Sequence, residues 1–368
     1  MMSRKLRVAL LFGGQSGEHE VSLASAASVL AALDREKYDV VGIGITRQGR
    51  WLMSTSPERL LRQEVTPQLP DTIEVMPDLA HQSITAVAAQ NGDRSEDAPI
   101  DIVFPLLHGP RGEDGTVQGL LDITGLPYVG SGVLGSAVSM DKVTMKGLLA
   151  GAGLPQAAYR LIKRSRWERV RNETLYEIET NMDYPVFVKP CNLGSSVGIS
   201  KAHERTDLEA AIDLAARFDT RIIVEQGIDA REVECSVMGN DDPLVSVAGE
   251  VISHREFYDY EAKYTDGLSD LRIPAQLTRD QTDTVGDFAR RAFEAVDAAG
   301  LARVDFFIRR VDGAVLVNEI NTIPGFTATS MYPKLWEASG VSYGELVDRL
   351  IQYGMQRFDD RANRSTQR

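Results

Sequence analysis

Residues 302–325 read "ARVDFFIRRVDGAVLVNEINTIPG", and this stretch decides the fold. Two runs rich in strand-forming residues flank "VDG", which predicts a β-hairpin with a three-residue loop over 311–313 and Gly313 in the left-handed conformation. Such a loop pairs position 310 with position 314. A two-residue loop would put Asp305 and Glu319 on opposite faces of the hairpin, so the register tests the interpretation.

The predicted register brings two acidic side chains together. Asp305 lies opposite Glu319, and on the same face Arg303 lies opposite Asn321. Like charges paired across a sheet repel each other unless something lies between them. A hard divalent cation resolves the conflict, and two carboxylates with an amide carbonyl suit Mg²⁺. In the alternative interpretation the face is solvated and Arg303 neutralises the acids.

A glycine- and serine-rich loop, "VKPCNLGSSVG" at 188–198, carries the groups that hold phosphate. Lys189 ends an apolar strand at the mouth of this loop, and the backbone N–H groups of 194–198 can form an anion-binding nest. The order G-x-x-x-x-G-K-[ST] of a P-loop is absent, since the lysine comes first. The alternative for Lys189 is a strand-end lysine whose aliphatic stem is buried.

Three further segments carry candidate functional residues. Residues 257–264, "FYDYEAKY", are too polar for a core strand, and their aromatic residues favour a lid over a surface loop with a small hydrophobic cluster. Glu18, in the glycine turn "FGGQSGEHEVS", either complements a helix dipole or holds a substrate ammonium. His108 ends a strand at the carboxyl edge of the sheet, where α/β sites lie, and its alternative is a structural role.

The order of predicted elements indicates three α/β lobes. The first third alternates strand and helix as a parallel unit does, with a polar excursion at 47–98 predicted to carry a hairpin or short helices. A single helix is predicted over 139–155, then four strands to residue 226, a hairpin around "NDD", a long helix over 278–300 and a C-terminal helix from 343. The predicted domains are 1–140, 141–226 and 227–368.

Composition excludes several classes of protein. The 368-residue chain has a net charge of −13, which argues against binding to nucleic acid or to an anionic membrane. No apolar run approaches the ~18 residues of a membrane span. Cys191 and Cys235 provide no disulfide framework, so we expect reduced thiols and a cytoplasmic location.

Together these stretches resemble the ATP-grasp superfamily and, within it, the D-alanine–D-alanine ligases. The resemblance covers residues 5–355 and includes "GGQSGEHEVS", "LHGPRGEDGTVQGLLDITGLPYVGSGVLGSAVSMDK", "VKPCNLGSSVGIS", "FYDYEAKY" and "RVDFF…NEINTIPG". It implies a three-lobed ATP-grasp fold, in which an N-terminal parallel-sheet domain precedes two α+β lobes that clasp ATP beneath a serine–glycine flap. It also implies a homodimer.

The resemblance implies a role for each matching residue. ATP would contact Lys142, Lys189, Ser196, Glu225, Gln226, Ile228, Glu232, Phe257, Lys263, Phe307 and Asn318. Two magnesium ions, or manganese in their place, would bind Asp305, Glu319 and Asn321. The amino-acid substrates would contact Glu18, His108, Arg303, Gly325, Ser330 and Met331. Catalysis would involve Glu18, Ser195, Lys263, Tyr264, Arg303 and Gly325.

The implied reaction joins two D-alanines through an acyl phosphate, with ATP as co-substrate, to supply a peptidoglycan precursor. Within enzymes, the alternatives are another ATP-grasp carboxylate–amine ligase and a D-alanine–D-lactate ligase; Glu18, Tyr264 and Ser330 favour a site for two small amino acids. An alternative from another class is a dinucleotide-binding oxidoreductase or nucleotide-sensing module. The irregular glycine spacing and the predicted metal ligands argue against it.

Overall fold

The computed structural model describes residues 4–62, 72–79, 81, 83–87, 99–194, 197–253 and 269–363. These residues form three β-sheets of six, four and five strands, with helices packed against them. The mixed arrangement of helices and strands confirms the predicted α/β class. None of the helices in these segments combines the length and the apolar character that a membrane span requires.

The first sheet contains both parallel and antiparallel strands. Its strands are β1 (Leu6–Gly13), β2 (Tyr38–Ile45), β3 (Trp51–Ser54), β4 (Ile73–Asp78), β5 (Ser83–Ala86) and β6 (Ile102–Pro105), in the order β5-β4-β3-β2-β1-β6. β1 pairs in parallel with β2 and with β6, as predicted. The polar excursion carries a hairpin, as predicted, formed by β4 and β5, and with β3 it adds an antiparallel edge to the parallel strands. Antiparallel pairing needs only tight turns, so a short excursion can extend a parallel sheet.

This sheet has a switch point between β1 and β6. β1 lies between β2 and β6, and ligands of open α/β sheets bind beyond the carboxyl ends of strands at such a point. The chain leaves β1 into the turn that carries Glu18 and leaves β6 into the turn that carries His108. The surrounding helices are α1 (His19–Ala32), α2 (Pro57–Arg62), α3 (Thr116–Ile123) and α4 (Val133–Met140).

The single helix predicted over 139–155 is wrong, because Asp141 divides it. α4 ends at Met140, and α5 (Lys142–Gly151) begins after Asp141, which has an extended backbone. The Asp141 side chain accepts a hydrogen bond from the Thr144 backbone N–H. Aspartate is among the best N-cap residues, so it starts a new helix here and does not continue the old one.

The second sheet confirms the four strands predicted for this segment. They are β7 (Tyr159–Lys163), β8 (Val186–Pro190), β9 (Ser200–Ala202) and β10 (Arg221–Gln226), in the antiparallel order β7-β10-β8-β9. Its helices are α6 (Arg164–Arg169), α7 (Arg171–Asn181) and α8 (Arg205–Ala215).

The third sheet is antiparallel and has one apolar face. Its strands are β11 (Ala230–Gly239), β12 (Leu244–Ser253), β13 (Ser269–Arg272), β14 (Gly300–Arg309) and β15 (Val315–Asn321), in the order β13-β12-β11-β14-β15. α9 (Arg279–Ala295) covers the apolar face and starts with a capping box of Thr278 and Gln281. It ends before the predicted residue 300, because Asp297 and Gly300 adopt positive φ angles of 57° and 73° and turn the chain into β14.

Two more helices connect the third sheet to the first. They are α10 (Met331–Ala338) and α11 (Tyr343–Ala362), and α11 begins at the residue predicted for the C-terminal helix. Leu346 and Leu350 of α11 are buried in the same hydrophobic cluster as Val8 of β1 and Val29 of α1. The C-terminal helix therefore completes the hydrophobic core of the first sheet.

Candidate active site

A cavity of about 530 Å³ opens between the second and third sheets. It is bordered by β8, β10, the segment that follows β10, and the hairpin of β14 and β15. The predicted nucleotide-contacting residues that line it are Lys189, Glu225, Gln226, Ile228, Glu232, Phe307 and Asn318. Two of the predicted metal ligands, Asp305 and Glu319, line it as well.

The hairpin of β14 and β15 has the predicted pairing at its functional end. Asp305 pairs with Glu319, and Arg303 pairs with Asn321. Near the turn, however, Phe306 pairs with Val317, so Asn318 is an extra residue in a β-bulge. The bulge compensates for a longer turn and also brings the Asn318 side chain to the cavity wall.

The turn itself differs from the prediction by one residue. The backbone N–H of Arg309 donates to the Ala314 carbonyl and that of Gly313 to the Arg309 carbonyl, which closes a four-residue loop over 310–313. Gly313 has φ +73°, so its predicted left-handed conformation is confirmed. The predicted three-residue loop is wrong, and the register survives because of the bulge.

Arg303 lies between two carboxylates on this face. Its Nε and Nη2 donate to the two Asp305 carboxylate oxygens at 2.7 Å each, and its Nε lies 3.0 Å from Oε2 of Glu234. Burial alone would lower the pKa of Arg303, but Asp305 and Glu234 raise it well above its usual value. Arg303 therefore neutralises Asp305, as the alternative to a metal site proposed for this face.

Glu234 of β11 extends the acidic row across three strands. It pairs with Asp305, which pairs in turn with Glu319. The described residues that line the cavity include six carboxylate and three cationic side chains. A cavity with this excess of negative charge accepts a polyanion only together with cations, and oxygen donors of this kind fit magnesium. Asn321 lies on the same face of the hairpin, although it is not among the lining residues.

A second charged cluster lies on the opposite wall, around Glu225 of β10. Its Oε1 is 2.8 Å from the Lys146 Nζ, and its Oε2 is 2.5 Å from the Lys189 Nζ. Burial would raise the pKa of Glu225, but Lys146 and Lys189 together lower it well below its usual range. Burial would likewise lower the pKa of Lys189, but Glu225 and Glu319 raise it. Glu225 and Lys189 are therefore both charged at neutral pH.

Lys142 reaches the glycine–serine loop and does not line the cavity. Its Nζ donates to the Leu193 carbonyl at 2.8 Å, and its backbone N–H donates to the Cys191 carbonyl at 3.1 Å. Burial lowers the pKa of Lys142, and the attraction of Glu319 only partly offsets this effect.

Gln226 uses its side chain to hold neighbouring backbone. Its amide nitrogen donates to the Asp183 carbonyl at 2.8 Å, and its amide oxygen accepts from the Asp183 N–H at 3.0 Å. A nucleotide contact at this position is therefore left to the Gln226 backbone.

Glu18 and His108 meet near the glycine–serine loop. A Cβ atom added to Gly194 would lie 3.2 Å from Oε2 of Glu18, and one added to Gly109 would lie 2.8 Å from it. His108 Nδ1 donates to the Ile323 carbonyl at 3.2 Å, and its Nε2 is 3.1 Å from the Ser25 hydroxyl. Loops from the first and third sheets therefore converge on the end of the glycine–serine loop.

Glu113 holds the His108 side chain from the first lobe. Its Oε1 lies 3.7 Å from His108 Nδ1, and its Oε2 accepts from the Gly109 N–H at 2.9 Å. Burial alone would lower the pKa of His108, but Glu113 and Glu18 raise it, and the net shift is upward from 6.5.

The remaining predicted substrate residues follow β15. The Ser330 hydroxyl accepts from the Thr327 N–H at 3.1 Å, and a Cβ atom added to Gly325 would lie 3.1 Å from the same hydroxyl. Met331 is buried at the start of α10. Gly325 and Ser330 therefore share one small loop, which begins beside the His108 contact at Ile323. Ser195, Ser196, Phe257, Lys263 and Tyr264 lie outside the described residues.

Family models and relatives identify the group to which this chain belongs. The models for the N-terminus and C-terminus of D-ala D-ala ligase match residues 7–131 and 148–352. A D-alanine–D-alanine ligase from Heliobacterium modesticaldum is 48% identical over 364 residues, which cover 99% of this chain and 98% of that protein. The chain belongs to the D-alanine–D-alanine ligase family.

Another relative and two solved structures agree with this assignment. A D-alanine–D-alanine ligase from Geobacillus kaustophilus is 48% identical, over 97% of this chain and 96% of its own. The D-alanine–D-alanine ligase structure from Coxiella burnetii has a TM-score of 0.85 at 35% identity and covers 98% of this chain and 97% of its own. A D-Ala:D-Ser ligase from Enterococcus faecalis has a TM-score of 0.85 at 36% identity, over 95% of this chain and 100% of its own. The ATP-grasp architecture predicted from the sequence is confirmed.

Three buried charged residues beside the candidate site escaped the sequence analysis. They are Glu113, Lys146 and Glu234. Lys146 follows Lys142 by one helical turn, and that spacing is a usable signal for a shared helix face. Glu234 alternates with Glu232 along β11, which also indicates a shared face. No local pattern distinguishes Glu113, because its role depends on the fold of the turn after His108.

Proposed function

We propose that this ligase joins two D-alanines to D-alanyl-D-alanine, a peptidoglycan precursor, with conversion of ATP to ADP and phosphate. The observation that carries the proposal is the pairing of Asp305 with Glu319 in the cavity that Lys189 also lines. The excess of carboxylates at one wall and the lysine cluster at the other fit a nucleotide that arrives with divalent cations.

The reaction follows from the leaving groups. A carboxylate is a poor acyl donor, because it would have to release oxide. An oxygen of the first D-alanine carboxylate therefore forms a bond to the γ-phosphorus, while the bond between the γ-phosphorus and the β–γ bridging oxygen breaks and ADP leaves. The amine of the second D-alanine then attacks the acyl carbon, loses a proton, and expels phosphate.

The site residues divide between these two steps. Lys142 and Lys189 hold the phosphates, Glu225 to Ile228 and Glu232 bind adenine and ribose, and Phe307 and Asn318 line the same cavity. Two magnesium ions, for which manganese can substitute, would be held by Asp305, Glu319 and Asn321 and would supply positive charge beside the transferred phosphoryl group. Arg303 and the Gly325 N–H stabilise the tetrahedral oxyanion of the second step, where one such donor is typically worth ~3–4 kcal/mol.

The two amino acids occupy the region where the loops converge. Glu18 binds the ammonium of the first substrate, with His108 beside it, and Ser330 and Met331 adjoin the carboxylate of the second. Ser195, Lys263 and Tyr264 connect a lid to the site, with Ser196 and Phe257 over the nucleotide. Exclusion of water by this lid protects the acyl phosphate from hydrolysis.

We further propose a cytoplasmic homodimer whose lobes divide at residues 140 and 226. The cytoplasmic location is proposed because the reaction consumes ATP, which the cytoplasm supplies. Light scattering of the purified chain tests the dimer. A monomer at micromolar concentration would contradict it.

Release of ADP with different acceptors tests the function. ADP should form with D-alanine and Mg²⁺, should not form without D-alanine, and should appear together with the dipeptide. Because a solved structure of similar fold is a D-Ala:D-Ser ligase, D-serine and D-lactate belong in the same assay as competing acceptors. ADP release that is independent of D-alanine, or D-alanyl-D-serine as the main product, would overturn the proposal.

A further inference from the structure

Lys146 is a buried lysine to which the proposed mechanism assigns no role. Its side chain is 2% exposed, and it lies on α5 one turn after Lys142. Its ammonium does not line the cavity but lies behind the wall, 2.8 Å from Glu225 Oε1. A buried ammonium costs several kcal/mol unless it is paired, so the Glu225 carboxylate is what allows Lys146 to be there.

The charges of this cluster do not balance. One carboxylate contacts two ammonium groups, each at its own oxygen, with Lys146 at Oε1 and Lys189 at Oε2. The cluster therefore carries one net positive charge. Of the two lysines, only Lys189 lines the cavity, so the excess charge is presented to a ligand at Lys189.

We infer that Lys146 is a positioning residue for ATP, which neutralises Glu225 from behind and leaves the Lys189 ammonium available to a phosphate. This inference rests on the proposed nucleotide site. With Lys146 in place, Lys189 can move toward an anion without leaving a buried carboxylate unpaired. Without Lys146, the same movement would strand the Glu225 charge, and Lys189 would stay with Glu225.

Lys146 also joins the two walls of the cavity. Its Nζ donates to the Asn318 carbonyl at 3.4 Å, at the bulge of the hairpin, and lies 5.7 Å from the centre of the Tyr159 ring. A purely structural role would predict that loss of Lys146 weakens all ligands of the cavity equally. The positioning role predicts a selective loss for ligands that carry phosphates.

Titration of the full-length protein with adenosine and with ATP in the presence of Mg²⁺ separates the two roles. The readout is the dissociation constant for adenosine divided by that for ATP. Both ligands make the adenine contacts, so this ratio reports the contribution of the phosphates. In Lys146→Met this ratio should fall by about 10- to 100-fold, the effect of losing one hydrogen bond to a charged group. Lys163→Met is the matched control, because Lys163 is an exposed lysine on β7, and its ratio should equal that of the wild type.

A second variant keeps the inference testable if Lys146→Met does not fold. Lys146→Met combined with Glu225→Gln removes the carboxylate that Lys146 neutralises and leaves Lys189, which lines the cavity, as the remaining cation of the cluster. Its ratio should return toward the wild-type value. Equal losses for adenosine and ATP in Lys146→Met, or a double variant as poor as that single variant, would overturn the inference. A wild-type ratio near one would instead overturn the proposed nucleotide site.

Discussion

At the scale of single residues, the candidate site depends on charges that are held in pairs. The predicted pairing of Asp305 with Glu319 is correct although the predicted loop is one residue too short, because the bulge at Asn318 offsets the longer turn. Glu234 and Lys146 were not predicted, because their partners Arg303 and Glu225 are distant in sequence. Local patterns predict which face a side chain occupies. They do not predict which distant charge it meets.

Replacement of Glu319 tests its predicted role as a metal ligand. Glu319→Gln keeps the size of the side chain and one acceptor oxygen but removes the charge opposite Asp305. The fold should persist. Loss of a group that only orients a metal ligand lowers activity by up to about 100-fold, so loss of a ligand itself should lower turnover by more than that.

The measurements are circular dichroism for the fold, ADP release for turnover, and Mn²⁺ binding in the presence of ADP by electron paramagnetic resonance. Glu337→Gln, at an exposed position on α10, is the control and should match the wild type. Wild-type turnover and Mn²⁺ affinity in Glu319→Gln at saturating Mg²⁺ would refute the metal assignment.

His108 should make folding stability depend on pH. Its pKa is raised in the folded state, because the acids Glu113 and Glu18 outweigh its burial. A raised folded-state pKa gives stability that is fully present below the unfolded value of about 6.5 and is lost as pH rises through the folded value. His108→Gln should therefore cost more unfolding free energy at pH 6 than at pH 9. Urea denaturation at a series of pH values measures this cost, and a cost independent of pH would exclude the His108–Glu113 pairing as its source.

At the scale of elements, strands were predicted better than their irregularities. Short runs of strand-forming residues are a local signal, so β7, β8, β10, β11 and β12 follow the sequence pattern closely. The bulge at Asn318 and the helix break at Asp141 were missed. The bulge inserts one extra residue that compensates for the longer turn. The helix break arises because the Asp141 side chain caps the start of a new helix.

Gly313 tests the turn of the β14–β15 hairpin. With φ +73°, a residue carrying a Cβ atom is strained there, so Gly313→Ala should lower the free energy of unfolding by roughly 1–2 kcal/mol. Because Gly313 does not line the cavity, the Michaelis constant for ATP and the turnover number should stay at wild-type values. Thermal denaturation and ADP release measure the two effects. A loss of activity without a loss of stability would show that the turn acts on the site and not on the fold.

At the scale of the whole molecule, the packing of the last helix could not be predicted from the sequence. The pattern of α11 indicates an amphipathic helix, but nothing local specifies that Leu346 and Leu350 complete a core begun by β1. Arg357 also stacks over the Tyr128 ring at 4.3 Å, and Arg361 pairs with Asp122 at 2.6 Å. The first lobe therefore depends on the C-terminal end of the chain, and its turns that carry Glu18 and His108 depend on it indirectly.

Gly354 tests this dependence. It is buried in α11, and a Cβ atom there would lie 2.9 Å from both Ile102 Cδ1 and the Tyr128 carbonyl oxygen of the first lobe. Backbone atoms cannot move aside as a side chain can, so Gly354→Ala should push α11 away from the first lobe. Overpacking of this kind should lower the free energy of unfolding by about 1–3 kcal/mol.

Gly344→Ala is the matched control for Gly354→Ala in the same helix. A Cβ atom at Gly344 meets only the Ala32 carbonyl oxygen, at an ordinary 3.5 Å. Alanine favours helix by up to about 1 kcal/mol over glycine, so this variant should be as stable as the wild type or more so. Hydrogen exchange in β1 and β6 during denaturation locates the effect, and it should accelerate in Gly354→Ala alone. If both variants exchange alike, contact with α11 does not stabilise the first lobe, and the turns carrying Glu18 and His108 are held by that lobe's own sheet.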